Sequence, residues 1–194
     1  MSEEKPAAAP AAPVTEPPAL TRLLKETFGA AVVSHHARLG DETVVISRER
    51  MLDVFRFLKE DRRCDFTFMM DLTAVDHLPR QPRFELVVHL KSLNLRHRLR
   101  VKVAVPETAP EVDSIAGLWT SADWYERECQ EMYGIVFKGH PDMKHLLLYD
   151  GFQGFPLRKD YDKGHAQPLV PLRPVRERYH YGETFTPIDP AARN

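Results

Sequence analysis

The chain has 194 residues, with 27 Lys and Arg against 28 Asp and Glu, for a formal net charge of −1. That length holds one domain plus tails and can bury a core without staples; the near-neutral balance excludes a general nucleic-acid binder, which needs a basic footprint. Two cysteines, Cys64 and Cys129, exclude a disulfide framework and a four-thiolate iron–sulfur site and point to a reducing compartment. No apolar run reaches the roughly 20 residues that cross a bilayer. The start of the chain resembles neither a signal nor a transit peptide, so a cytoplasm-like space is expected.

Residues 1–18 are Ala, Pro and Glu without periodicity and read as a disordered tail. A first helix follows, with Leu20, Leu23, Leu24 and Phe28 on one face and Gly29 placed to end it. Residues 31–36 and 43–47 read as short strands joined by a hairpin turn. Ser47 is placed to cap a second helix, whose Met51, Val54, Phe55 and Leu58 recur at helical spacing.

Three longer strands come next. Phe66, Phe68, Met70, Leu72 and Ala74 are expected on one face of the first, and Phe84, Leu86, Val88 and Leu90 on one face of the second. In the third, Leu95, Leu99, Val101, Val103 and Val105 alternate with Arg96, Arg98, Arg100 and Lys102. Period-two patterning with one wet face and short connections predicts antiparallel neighbours. With helices to cover the dry face, the fold class is α+β, a two-layer sandwich with a mostly antiparallel sheet. The basic stripe is either a solvated face that discourages edge pairing or a dock for an acidic partner.

A helical region is expected from near Glu111, with Ser121 capping its last segment, and Leu118, Ala122, Tyr125, Cys129 and Met132 forming an apolar stripe that Gly134 stops. Within it, Asp123 and Arg127 stand four apart, acid before base, as a helix-supporting pair. The Glu126, Arg127, Glu128 run reads as a solvated face or as a partly buried ion network at an interface. Periodicity is lost after about Lys138. Residues 151–194 carry six prolines and little apolar alternation, so they read as an extended arm ordered by something outside the domain. The expected division is therefore a tail over 1–18, an α+β domain over 19–150, and a partner-wrapping arm over 151–194.

No phosphate loop, dinucleotide fingerprint or nucleophile elbow is present. His140, Asp142 and His145 could serve a small metallohydrolase, although their spacing matches no established zinc pattern. A folded core without a cofactor motif, feeding a long tail, favours a subunit over a free-standing enzyme.

The segment WYERECQEMYGIVFKGHPDMKHLLL, Trp124 to Leu148, resembles the signature of the thirty-kilodalton (C-type) subunit family of respiratory NADH–quinone oxidoreductase (complex I). Trp124, Tyr125, Glu126, Arg127, Glu128, Glu131, Met132, Tyr133, Gly134 and Ile135 match its first part. Gly139, His140, Pro141, Asp142, Lys144, Leu146 and Leu147 match its second. Downstream, GFQGFPLRKDY is similar to the family's G-F-E-G-H-P-L-R-K-D-[YF] and contributes Arg158, Lys159, Asp160 and Tyr161. The departures are Cys129 for a small or aliphatic residue, His145 for a basic one, and Gln153 and Phe155 for an acid and a histidine.

The resemblance implies a cofactor-free subunit of the peripheral arm, on the cytoplasmic side of the inner membrane and attached to it only through the complex. It would pack against the quinone-site (D-type) subunit and the iron–sulfur subunits. FMN, iron–sulfur clusters, NADH and quinone would lie on those neighbours. It also implies that Trp124, Tyr125 and Tyr133 anchor the interface, and that Arg158, Lys159 and Asp160 bond to the partner. Related subunits in membrane-bound hydrogenases and in ferredoxin- or F420-dependent complexes are the alternative within the superfamily.

Overall fold

The structure, a computed structural model, describes residues 19–170. The expected tail over 1–18 and the arm beyond residue 170 lie outside the described residues. The first helix, α1 (Ala19–Phe28), buries Leu20 and Leu24. It runs into a short 3-10 turn over Gly29–Ala31, where Gly29 takes a φ of 52°. Strands β1 (Val32–Arg38) and β2 (Asp41–Ile46) then pair antiparallel, with Arg38 opposite Asp41. The two residues between them, Leu39 and Gly40, have φ of 54° and 87°, the left-handed pair that a tight hairpin requires.

Helix α2 (Met51–Glu60) buries Met51, Val54, Phe55 and Leu58, as its spacing predicts. Ser47 makes no side-chain capping bond; a 3-10 turn over Arg48–Arg50 precedes the helix instead. Strands β3 (Phe68–Asp76), β4 (Phe84–Lys91) and β5 (Arg98–Val105) form antiparallel neighbours. The sheet order is β1-β2-β5-β4-β3, and its one parallel pairing, β2 with β5, places a local hairpin beside a strand more than fifty residues away. The inward rows of β4 and β5 are buried where alternation puts them.

Three expectations are corrected. A bulge between Met69 and Asp71 shifts the register of β3 by one residue. A one-residue slip exchanges the two faces. Met69, Leu72 and Ala74 are therefore buried, while Phe68 and Met70 are exposed. Leu95 lies outside β5 in a turn, beside Arg96 at a φ of 57°. Finally, Glu111 opens no helix. Residues Glu111–Asp113 form a strand, β6, that pairs parallel with β7 (Val136–Lys138). The helix, α3, is confined to Ala122–Tyr133, and Ser121 makes no side-chain capping bond to it.

The apolar faces of α1, α2 and α3 join the inward rows of the sheet in one cluster that includes Phe55, Phe66, Phe84, Trp119 and Cys129. Trp119 closes it by donating its indole N–H to the Phe66 carbonyl at 3.1 Å and meeting Phe55 edge-on. The architecture is α+β in two layers, with one sheet face left uncovered by the described helices.

Candidate functional site

Helix α3 ends at Gly134, which takes the left-handed conformation (φ 73°, ψ 29°) and returns its N–H to the Gln130 carbonyl. Only glycine adopts that geometry cheaply. It also leaves room: a Cβ at Gly134 would meet the Phe155 ring and the Arg158 guanidinium at 2.6 Å. The helix therefore stops where a later part of the chain crosses it.

The charged residues of α3 other than the exposed Glu128 turn inward or sideways toward loops. Glu126 is fully buried, and accepts from the Ser114 hydroxyl at 2.6 Å and the Ile115 N–H at 2.7 Å. Burial pushes its pKa up, against the pull of those two donors. Glu131 is also buried, and accepts from the backbone N–H groups of Leu146, Leu147 (2.9 Å) and Leu148 (3.3 Å). His145 Nδ1 sits 3.1 Å from the same carboxylate. Burial opposes the charge, but the three amides outweigh it and hold the Glu131 pKa below its ordinary value. Arg127 donates to the carbonyls of Lys144 and His145, both at 2.9 Å, and lies 5.4 Å from the Trp124 ring. Its expected pair with Asp123 does not form. Asp123 instead faces His140, whose Nε2 is 2.9 Å from Asp123 Oδ1. His140 Nδ1 accepts the Asp142 N–H at 3.2 Å, which leaves the ring proton on Nε2, toward Asp123.

A second set of bonds holds residues 152–161. Arg83, fully buried at the head of β4, contacts three carboxylates: Asp76 at 2.8 Å, Glu107 at 2.5 Å and Asp160 at 2.5 Å. Asp76 also accepts the N–H groups of Lys159 and Leu78, both at 2.9 Å. The Arg83 hydrogen bonds pull the pKa of Asp76 well below the carboxylate range, and that of Asp160 below its ordinary value. Arg158 donates to the Tyr133 carbonyl at 2.6 Å and lies between Phe84 and Phe155, 5.1 and 4.4 Å from their centroids. The Leu157 N–H donates to the Met132 carbonyl at 3.2 Å. Tyr161 stacks on Phe152, centroids 6.3 Å apart. Arg158 and Asp160, expected to bond to a partner, thus also make bonds within the chain. The reason is electrostatic: Asp76 and Arg83 present buried charge at the sheet edge that needs neutralising.

Of the remaining signature residues, Tyr125 donates its hydroxyl to the Met70 carbonyl in the β3 bulge at 3.1 Å. Asp142 and Lys144 form an exposed pair at 2.8 Å, of a kind that contributes little. Trp124 is 58% exposed, and Glu128, Pro141 and the Lys159 side chain are exposed too. With Leu147 and Leu157, also exposed, Trp124 gives this end of the molecule an uncovered apolar surface. Beside it opens a cleft of 610 Å³ lined by Arg127, Gln130, His145, Phe152 and Phe155 among others.

His140, Asp142 and His145 do not converge on one point, since His140 is turned to Asp123 and His145 to Glu131. Among the described residues no group of three or more His, Cys, Asp and Glu side chains could hold a metal ion. Sequence reasoning missed Arg83, Asp76, Glu107 and Ser114. One signal was present: Asp76 continues the inward row of Leu72 and Ala74, and an acid at an inward position calls for a buried partner.

The family model for the respiratory-chain NADH dehydrogenase 30 Kd subunit matches residues 44–167. A relative from Rhizobium etli (strain CIAT 652), a second C-type subunit of NADH-quinone oxidoreductase, is 42% identical over 157 residues, covering 80% of this chain and 83% of that one. The C-type subunit of the same enzyme from Citrifermentans bemidjiense is 44% identical over 138 residues, covering 71% and 84%. Among solved structures, a trypsin-resistant fragment of Nqo5 superposes with a TM-score of 0.56 at 35% identity, covering 63% of this chain and 98% of the fragment. A chain of an archaeal membrane-bound sulfane sulfur reductase superposes at 0.64 over 74% and 84% of the two chains; at 24% identity it shares the fold alone.

Proposed function

The chain belongs to the family of the respiratory-chain NADH dehydrogenase 30 kDa subunit, and from that premise we propose that it is a cofactor-free, architectural subunit of the peripheral arm of NADH–quinone oxidoreductase. In this reading the complex passes electrons from NADH to quinone and couples that transfer to proton translocation. FMN, iron–sulfur clusters, NADH and quinone are held by neighbouring subunits, and this chain supplies a shaped surface on the cytoplasmic side of the inner membrane. No helix among the described residues is long and apolar enough to cross a membrane, so attachment would run through the complex.

One observation carries the reading. Glu126, Arg127, Glu131, Arg158 and Asp160 of the signature are already committed to this chain's own backbone and ion pairs, which leaves them poor candidates for proton transfer. A general acid or base must reach its substrate and titrate near the working pH. Glu126 is buried beneath the 114–116 loop, and Glu131 is held ionised by three amides. Glu126 fixes the 114–116 loop and Glu131 shapes residues 145–148 into a rigid edge, beside which Trp124, Glu128 and Leu147 face outward. Exposed aromatic and aliphatic groups around fixed charge are the usual anchors of a protein interface.

The proposed occupants are the quinone-site subunit and the iron–sulfur subunits, gripped through this surface and through the arm of residues 151–194. Residues 152–161 would then be the arm's root, docked on its own domain, and the stretch beyond Tyr161 the part that meets the partner. Arg127→Ala and Glu128→Ala test the assignment. Each is expected to lower the amount of assembled complex about fivefold, as loss of about 1 kcal/mol at an interface does, with turnover per assembled complex nearly unchanged. Normal assembly with abolished turnover in both variants would overturn it.

A further inference from the structure

The sheet face turned away from the helices plays no part in the surface described above. Because Phe84, Leu86, Val88 and Leu90 point inward, Glu85, Val87, His89 and Lys91 point outward. The register then places cross-strand rows on that face: His36, Thr43, Arg100, His89 and Asp71 in one, and Arg38, Asp41, Arg98, Lys91 and Phe68 in the next. In a chain of net charge −1, this face carries five cations (Arg38, Lys91, Arg98, Arg100, Lys102) against three carboxylates (Asp41, Asp71, Glu85).

The surplus is not spread evenly. Lys102 is paired with Glu85 at 2.7 Å. The four cations at the other end form no ion pair among the described residues; Arg100 makes one hydrogen bond, to the Thr43 hydroxyl at 3.3 Å. Burial and the Arg100 charge together lower the pKa of the adjoining His89. A recess of 220 Å³ opens here, lined in part by Asp41, His89, Arg98 and Arg100. Phe68, 48% exposed, lies at the end of the same row.

Cations on open sheets commonly guard edge strands against stray pairing. That explanation does not reach Arg98 and Arg100, because β5 is the central strand of five and has both its edges paired. We infer that the end of this face carrying Arg38, Lys91, Arg98 and Arg100, with Phe68 at its β3 edge as an apolar anchor, is a second docking surface, and that its occupant is a carboxylate-rich segment of another protein subunit. Like charges left facing water become favourable contacts when opposed by acids, and such complementarity fixes register and speeds encounter. The inference rests on the chain working within an assembly.

The test is photo-crosslinking in the intact membrane complex. Phe68→p-benzoylphenylalanine is expected to give an adduct on a neighbouring subunit, within a stretch rich in Asp and Glu. In the Arg98→Glu/Arg100→Glu background the adduct should fall about tenfold, as loss of about 1.4 kcal/mol would give; if that background does not fold, the identity of the Phe68 adduct decides alone. An adduct on a basic or uncharged segment, on a second copy of this chain, on nucleic acid or on lipid would overturn the inference. So would no adduct at all while Trp124→p-benzoylphenylalanine crosslinks normally. Silence from both positions would instead bring down the assembly reading itself.

Discussion

The two halves of the molecule are held together by different physics. In the sheet and helices up to Val105, backbone groups pair with one another and apolar rows fill the space between layers. From His140 to Tyr161 there is neither helix nor strand, and the chain is fixed by side chains reaching from elsewhere: Glu131 and Arg127 from α3, Arg83 and Asp76 from the sheet. The comparison teaches that a loop can be given a single shape without a ladder, provided that its backbone groups are met by buried or oriented charge. The penalty for an unmet buried amide or carboxylate, about 1–3 kcal/mol each, enforces that shape.

Arg83 belongs to both halves, and removing it should do the most damage. Arg83→Met leaves the buried Asp76 carboxylate without its cation. Thermal or denaturant unfolding is expected to show a loss of about 3–5 kcal/mol, the usual cost of stranding one partner of a buried pair. A loss below about 1 kcal/mol would mean that the two halves are joined by apolar contact alone.

Asp160 is one of three carboxylates around Arg83, so Asp160→Asn should do less. Its side chain is 50% exposed, and solvent screening limits the expected loss at neutral pH to about 1 kcal/mol or less. The pH dependence carries a sign. The folded chain holds the Asp160 pKa below its ordinary value, so its contribution is complete above pH about 4 and is lost as pH falls through the depressed folded value. The gap between wild type and Asp160→Asn should therefore narrow on acidification. A constant gap would show that Asp160 acts by packing.

The first half was largely legible in the sequence. Helical spacing placed Met51, Val54, Phe55 and Leu58 inside, and alternation did the same for the inward rows of β4 and β5. The exceptions have local causes. The β3 bulge inverted Phe68 and Met70, because one extra residue puts the positions before it on the opposite face from the row that Leu72 and Ala74 continue. The parallel pairing of β2 with β5 depends on closure over a long loop, which no local pattern encodes. Glu111 to Asp113 is too short to show a period, and its partner strand lies beyond α3.

The candidate site was legible as a motif and not as a mechanism. The polar string from Trp124 to Glu131 identified the family, yet the one pairing read from helical spacing, Asp123 with Arg127, is absent. Both side chains are drawn away by His140 and by the carbonyls of Lys144 and His145. Side-chain bonds to distant backbone leave no periodic trace, since the backbone acceptor can belong to any residue type. The same holds for residues 152–161: an aperiodic stretch reads as unanchored until Arg83 is placed beside Asp160.

The claim that a buried α3 carboxylate shapes the following loop is tested most directly by amide hydrogen exchange on the full-length chain and its Glu131→Ala variant. Wild type is expected to protect the amides of Leu146, Leu147 and Leu148, and the variant to lose that protection while β4 and β5 keep theirs. Equal exchange of the three amides with and without the Glu131 carboxylate would contradict the account.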